Sequence, residues 1–212
     1  MELERNLSMF VKDINYYRHD LSSDITNMEI VNSIISINKH FNEFWSNAQG
    51  WAPVDVAGLL SKSRLDWQES LSNYLMNWVE KTYVQDDHGA LILAWANLGS
   101  LVEGTMKLLL AIYYQTYQND VDRIIKRGQT IEPDVLMLED LRVFFRGKIW
   151  KNNCDWDKWI THIQMRRNAI HSFRNRDIGD FEEYFDDLRI YLALLKLVIE
   201  RVPWPDEVYM PF

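Results

Sequence analysis

The sequence predicts an all-α fold, a helical bundle, and three observations carry that reading. Apolar residues recur at three- and four-residue spacing through long stretches of the chain. Clusters of Gly, Pro and Asn separate those stretches, and no run alternates as a half-buried strand does. Finally, 212 residues with 47% apolar side chains and nine tryptophans are enough to fill a core without staples.

The elements follow in order. Ile30, Val31, Ile34, Ile35, Phe41, Phe44 and Trp45 predict a helix over 25–46, with Asp24 as its N-cap. Gly50-Trp51-Ala52-Pro53 breaks it. Leu65, Trp67, Leu71, Tyr74, Leu75 and Trp78 predict a second helix over 63–82. Gln85-Asp86-Asp87-His88-Gly89 marks a boundary, dividing an N-terminal helical extension (1–85) from a second unit (86–212). The longest helix, 89–118, carries Leu91, Trp95, Leu98, Val102, Met106, Leu109 and Tyr113 on one stripe. Gly99 and Gly104 within it weaken the helix but admit a close neighbour. Arg127-Gly128-Gln129-Thr130 reads as a loop, and Pro133 opens a helix to about 146. Trp156, Trp159, Ile160, Ile163 and Ile170 form the stripe of the next. Asp180 with Glu183 resembles a capping box and starts a last helix that stops before Pro203. The tail from Trp204 onward has no helical period.

Composition narrows the function classes. One cysteine, Cys154, forms no internal disulfide, and no basic-then-apolar leader is present, so a cytoplasmic protein is expected. The apolar run at 108–114 is too short to cross a membrane. Nucleotide-binding glycine loops and the nucleophile-elbow pattern are absent. His19, His40 and His88 lack metal-ligand spacing, so neither metal nor cofactor is expected. The net charge of −8 opposes non-specific nucleic-acid binding. Yet residues 141–176 hold nine basic side chains against Asp155 and Asp157 alone, a local charge of +7. These charges either form one patch that steers a polyanion or point in several directions.

The segment Arg166-Arg167-Asn168-Ala169-Ile170-His171-Ser172-Phe173 concentrates chemistry within the predicted helix. On a helical wheel Arg167 falls near the centre of the apolar stripe, with His171 about 40° round from it. An arginine at an apolar position is costly unless paired. Glu103 is either an acidic partner of one of the two arginines or a partner of Lys107 one turn on. His162, four residues before Arg166, either flanks the site or, the favoured reading, is a plain surface histidine.

An arginine followed after four to six residues by a histidine, often with Asn beside the arginine, resembles the signature of HEPN domains. The resemblance spans roughly 86–202 and includes the small-residue helix with Glu103 and the long closing helix. The spacing favours Arg166 with His171, whereas the adjacent Asn168 favours Arg167, so both arginines are retained. The resemblance implies a HEPN-like helical bundle and a metal-independent endoribonuclease of toxin or antiphage-defence type. Its site residues would be Arg166, Arg167, Asn168 and His171, supported by Glu103. It also implies RNA as substrate, a homodimer that pairs two motifs, and a cognate antitoxin or regulatory protein as partner. Many HEPN domains are non-catalytic, so the alternative is a nucleotide- or partner-binding module.

Overall fold

The computed structural model describes residues 14–19, 25–80, 87–171 and 175–204. About 70% of these are helical and 3% extended, which makes the fold an all-α bundle. Asp24, part of the boundary segment, Ser172, Phe173 and the tail beyond 204 lie outside the described residues.

The first helices among the described residues are α1 (Ile14–His19) and α2 (Asn27–Trp45). Thr26 caps α2 through a reciprocal box: Glu29 N–H donates to Thr26 Oγ1, and Thr26 N–H donates to Glu29 Oε2 at 2.8 Å. The cap therefore stands two residues later than the Asp24 that the sequence suggests. Where the sequence signals only a break, Val56, Ala57, Leu59 and Leu60 turn inward on a short helix, α3 (Val54–Leu60). The helix predicted over 63–82 is two pieces, α4 (Leu65–Asn73) and α5 (Met76–Glu80).

The central element is α6 (His88–Ile112), capped by the Asp87 side chain accepting from Ala90 N–H. The sequence predicts one helix to 118, but α6 ends at Tyr113, and α7 (Tyr114–Asn119) follows. Tyr113 is buried, and its hydroxyl donates to the Arg201 carbonyl at the end of the last helix, which fixes the break. Part of the expected 127–130 loop is strand: β1 (Ile125–Lys126) pairs antiparallel with β2 (Gln129–Thr130). Arg127 (φ 55°) and Gly128 (φ 79°) give this ribbon its two-residue turn, with both central residues left-handed. Pro133 opens only a 3₁₀ turn, Pro133–Val135, before α8 (Leu138–Phe145).

Two helices complete the bundle, α9 (Asp155–Arg167) and α10 (Phe181–Arg201). Asp180 caps α10 by accepting from Glu183 N–H at 2.9 Å. The box is half made, because the Glu183 carboxylate is engaged elsewhere. Helices α9, α10, α4 and α3 pack around α6, and α2 lies between α4 and α10. One continuous apolar core runs from Ile30 and Phe41 through Leu98 and Leu109 to Leu195. At its centre Tyr191 of α10 gathers polar groups from three other helices. Its hydroxyl lies 3.0 Å from Thr105 Oγ1 of α6 and accepts from Asn38 of α2 and Gln68 of α4 at 3.4 Å. Burial pushes its pKa up to about 12, against the opposing effect of those hydrogen bonds. No described helix is long and apolar enough to cross a membrane.

Candidate functional site

The Arg–His segment lies where α9 ends. The α-helix closes at Arg167, residues Asn168–Ile170 form a 3₁₀ turn, and His171 N–H donates to the Asn168 carbonyl at 3.2 Å. The tighter turn changes the angular rise, so the wheel drawn through His171 does not hold past Arg167. Trp156, Trp159, Ile160 and Ile163 are buried as expected, whereas Ile170 is exposed and leaves the stripe. His171 is exposed too, and its ring has no hydrogen-bond partner among the described residues.

The two arginines, adjacent in sequence, face different helices. Arg166 is the more buried, at 8% exposure, although the wheel placed Arg167 at the centre of the stripe. Its Nη2 donates to both Glu183 oxygens at 2.6 and 2.9 Å, and its Nη1 lies 2.8 Å from Asp177 Oδ1. Burial works to lower the Arg166 pKa, but the two carboxylates outweigh it and hold the guanidinium charged. Gly179, at φ +62°, lies against the Glu183 carboxylate and 3.1 Å, measured from a Cβ position, from Arg166 Nη2. Only a residue without a side chain fits this corner at that backbone angle.

Arg167 turns instead to α6. Its Nη1 donates to Glu103 Oε2 at 2.5 Å, while Lys107 Nζ holds the other oxygen, Oε1, at 2.8 Å. Both partners that the sequence offered for Glu103 are therefore used. Burial pushes the Glu103 carboxyl up, but hydrogen bonds from Arg167 and Lys107 outweigh it and hold the pKa below the usual carboxylate range. The aliphatic stem of Arg167 crosses α6 at Gly99, where a Cβ would meet Arg167 Cδ at 2.6 Å and Cβ at 2.8 Å. The close approach expected of this glycine is made by the arginine. Arg167 Nε and Nη2 have no partner among the described residues, and the side chain is 27% exposed. Asn168 is half-buried at the helix end, and no described residue bonds its side chain.

Among the described residues, five of the nine basic side chains of 141–176 are paired, with acids inside the segment and outside it. Arg142 pairs with Glu139 and the buried Asp157, and Lys148 with Asp120 and Asp122. Lys158 pairs with Asp155, and the two motif arginines are paired as above. These five paired side chains are therefore not part of one free basic patch.

A second cluster escaped the sequence reading. His162, read as a plain surface histidine, is half-buried, with Nε2 2.8 Å from Asp187 Oδ2 and 3.3 Å from Glu183 Oε1. The buried Trp159 donates its indole N–H to Asp187 Oδ1 at 2.8 Å. Trp95 of α6 supports the group from below: its ring meets His162 edge-on, and its N–H donates to the Ile178 carbonyl at 2.8 Å. The one signal in the sequence was Asp187, an acid on the apolar stripe of α10 and one turn beyond Glu183. These residues also interlock with Arg166, which shares Glu183 with His162. Comparison with family models, with curated proteins and with solved structures finds no match.

Proposed function

We propose that the chain is a metal-independent endoribonuclease of HEPN type, acting as a homodimer, with Arg167 and His171 as its reacting pair. The observation that carries this reading is the difference between the arginines. Both Nη atoms of Arg166 are bound to carboxylates and its Nε is buried, whereas Nε and Nη2 of Arg167 have no partner among the described residues, and His171, four residues on in sequence, is exposed. Glu103 fixes one edge of the Arg167 guanidinium and leaves the remaining donors to reach a phosphate.

In the reaction the ribose 2′-oxygen attacks the adjacent phosphorus as the bond to the 5′-oxygen breaks. The products are a 2′,3′-cyclic phosphate and a 5′-hydroxyl. Imidazole titrates near neutrality, so one His171 accepts the 2′-hydroxyl proton and the His171 of a second copy protonates the leaving oxygen. Arg167 donors stabilise the charge that builds on the non-bridging oxygens. Asn168 stands between the two groups in sequence and is assigned to orienting the phosphate. Toxin or defence activity, and control by a cognate antitoxin, extend the same reading.

The pairing of those five basic side chains favours a second reading, a non-catalytic module that binds a nucleotide or a protein partner. Incubation of the full chain with mixed RNA in EDTA separates the two. The first expects cyclic-phosphate ends that disappear in both His171→Ala and Arg167→Ala. Cleavage unchanged in both variants would rule out this site, and no cleavage by a dimeric wild type would favour the binding module.

A further inference from the structure

The side chains of His162, Glu183 and Asp187 bring one nitrogen and two carboxylate oxygens within 4.8 Å of one another. Glu183 and Asp187 are one helical turn apart on α10, so their carboxylates share a face, and His162 reaches them from α9. We propose that this cluster binds a divalent first-row transition-metal ion, Zn²⁺ or Mn²⁺. The proposal goes beyond the RNA-cleaving reading and does not depend on it.

Distance supports it first. Metal–ligand bonds of about 2.0–2.2 Å place neighbouring ligand atoms about 2.9 Å apart at a right angle and about 3.3 Å apart at a tetrahedral angle. The separations from His162 Nε2 are 2.8 and 3.3 Å. A single ring N–H cannot point straight at both carboxylates, so at least one of the two contacts is left without a straight hydrogen bond.

Charge supports it next. Asp177 and Glu183 hold one guanidinium, Arg166, and Asp187 adds a third carboxylate through His162, which leaves two negative charges, with Asp177 itself exposed. A divalent cation matches that remainder. The ion would take Glu183 Oε1, which accepts from Arg166 Nη2 at 2.6 Å, and leave the arginine to Oε2, 2.9 Å from the same nitrogen.

The surroundings are also built for a ligand. Asp187 is buried, and the Trp159 N–H holds its Oδ1 so that Oδ2 faces the histidine. Outer hydrogen bonds of this kind fix carboxylate ligands in metal sites. Glu183 and His162 are partly exposed, which gives the ion access and leaves coordination positions for water. Imidazole among the ligands favours zinc over calcium or magnesium, and the two carboxylates also suit manganese.

The test titrates the full chain with Co²⁺, followed by its visible ligand-field absorption, and then with Zn²⁺ by calorimetry. One Co²⁺ per chain, displaced by Zn²⁺, is expected. His162→Gln and Glu183→Gln should each weaken binding at least about tenfold, and Trp159→Phe, which removes only the outer hydrogen bond, about tenfold. Far-UV circular dichroism of each variant checks that the helices are intact. The absence of visible bands at millimolar Co²⁺, or equal binding by wild type and a His162→Gln/Glu183→Gln double variant, would overturn the proposal. No RNA enters this experiment, so its failure leaves the cleavage reading standing, and the reverse also holds.

Discussion

Arg167 and Glu103, 64 residues apart in sequence, meet through a 2.5 Å hydrogen bond that ties the end of α9 to the middle of α6. The carboxylate is mostly buried and holds Lys107 as well. Removing a partner from such a pair leaves a half-desolvated charge behind. Glu103→Gln is therefore expected to lower unfolding free energy by about 1–3 kcal/mol. Urea melts of the two single variants and of Glu103→Gln/Arg167→Met check this, with the double variant costing less than the sum of the singles.

The same pair sets a pH dependence. Because the folded Glu103 carboxyl titrates below its ordinary value of 4.5, its contribution is fully present above that pH and is lost as pH falls through the depressed value. The stability gap between wild type and Glu103→Gln should be constant near neutrality and shrink below about pH 4.5. Thermal melts from pH 3 to 7 measure the gap; one that widens in acid would contradict this assignment.

Gly99 leaves the space that the Arg167 stem fills. Gly99→Ala improves helix propensity by up to about 1 kcal/mol but forces the arginine away from α6. The expected net result is a loss of about 1–3 kcal/mol, with the overlap outweighing the propensity gain. In an Arg167→Ala background the overlap falls to the shared Cβ contact, and the loss should be smaller. Chemical denaturation of the four proteins completes the comparison.

His171 gives the opposite expectation. It is exposed at the end of the 3₁₀ turn and makes no side-chain bond among the described residues. His171→Ala should change stability by no more than about 0.5 kcal/mol. Differential scanning calorimetry tests this, and a change that small would let any loss of RNA cleavage be assigned to chemistry rather than to unfolding.

The long periodic elements were legible in the sequence because burial of an apolar stripe dominates their energetics. The stripe of α9 through Ile163, the cap at Asp180 and the stop before Pro203 are found in the structure. Helix breaks were less legible. The divisions at Tyr74–Leu75 and at Tyr113 carry no Gly or Pro, and Tyr113 is fixed by a bond to Arg201 from a distant part of the chain. Within the segment of interest, a pairing of Glu103 with one of the two arginines was legible, beside its pairing with Lys107. Which arginine was deeper did not follow, because Glu183 and Asp177 approach Arg166 from a loop and a helix that the wheel of α9 does not contain. The His162 cluster was hidden for the same reason, since its ligand spacing is closed in space across two helices.

The opposed grips of Arg166 and Arg167 also constrain how α9 can vary in length. Neighbouring positions on an α-helix differ by about 100° in direction. One arginine holds α10 and the next holds α6. An inserted or deleted residue earlier in α9 would swing both guanidinium groups off their carboxylates at once and turn His162 away from Asp187. Point substitutions along the exposed face should be absorbed far more readily than any change of helix length. The rotational phase of α9 is thus written twice, once in its tryptophans and isoleucines and once in its charges.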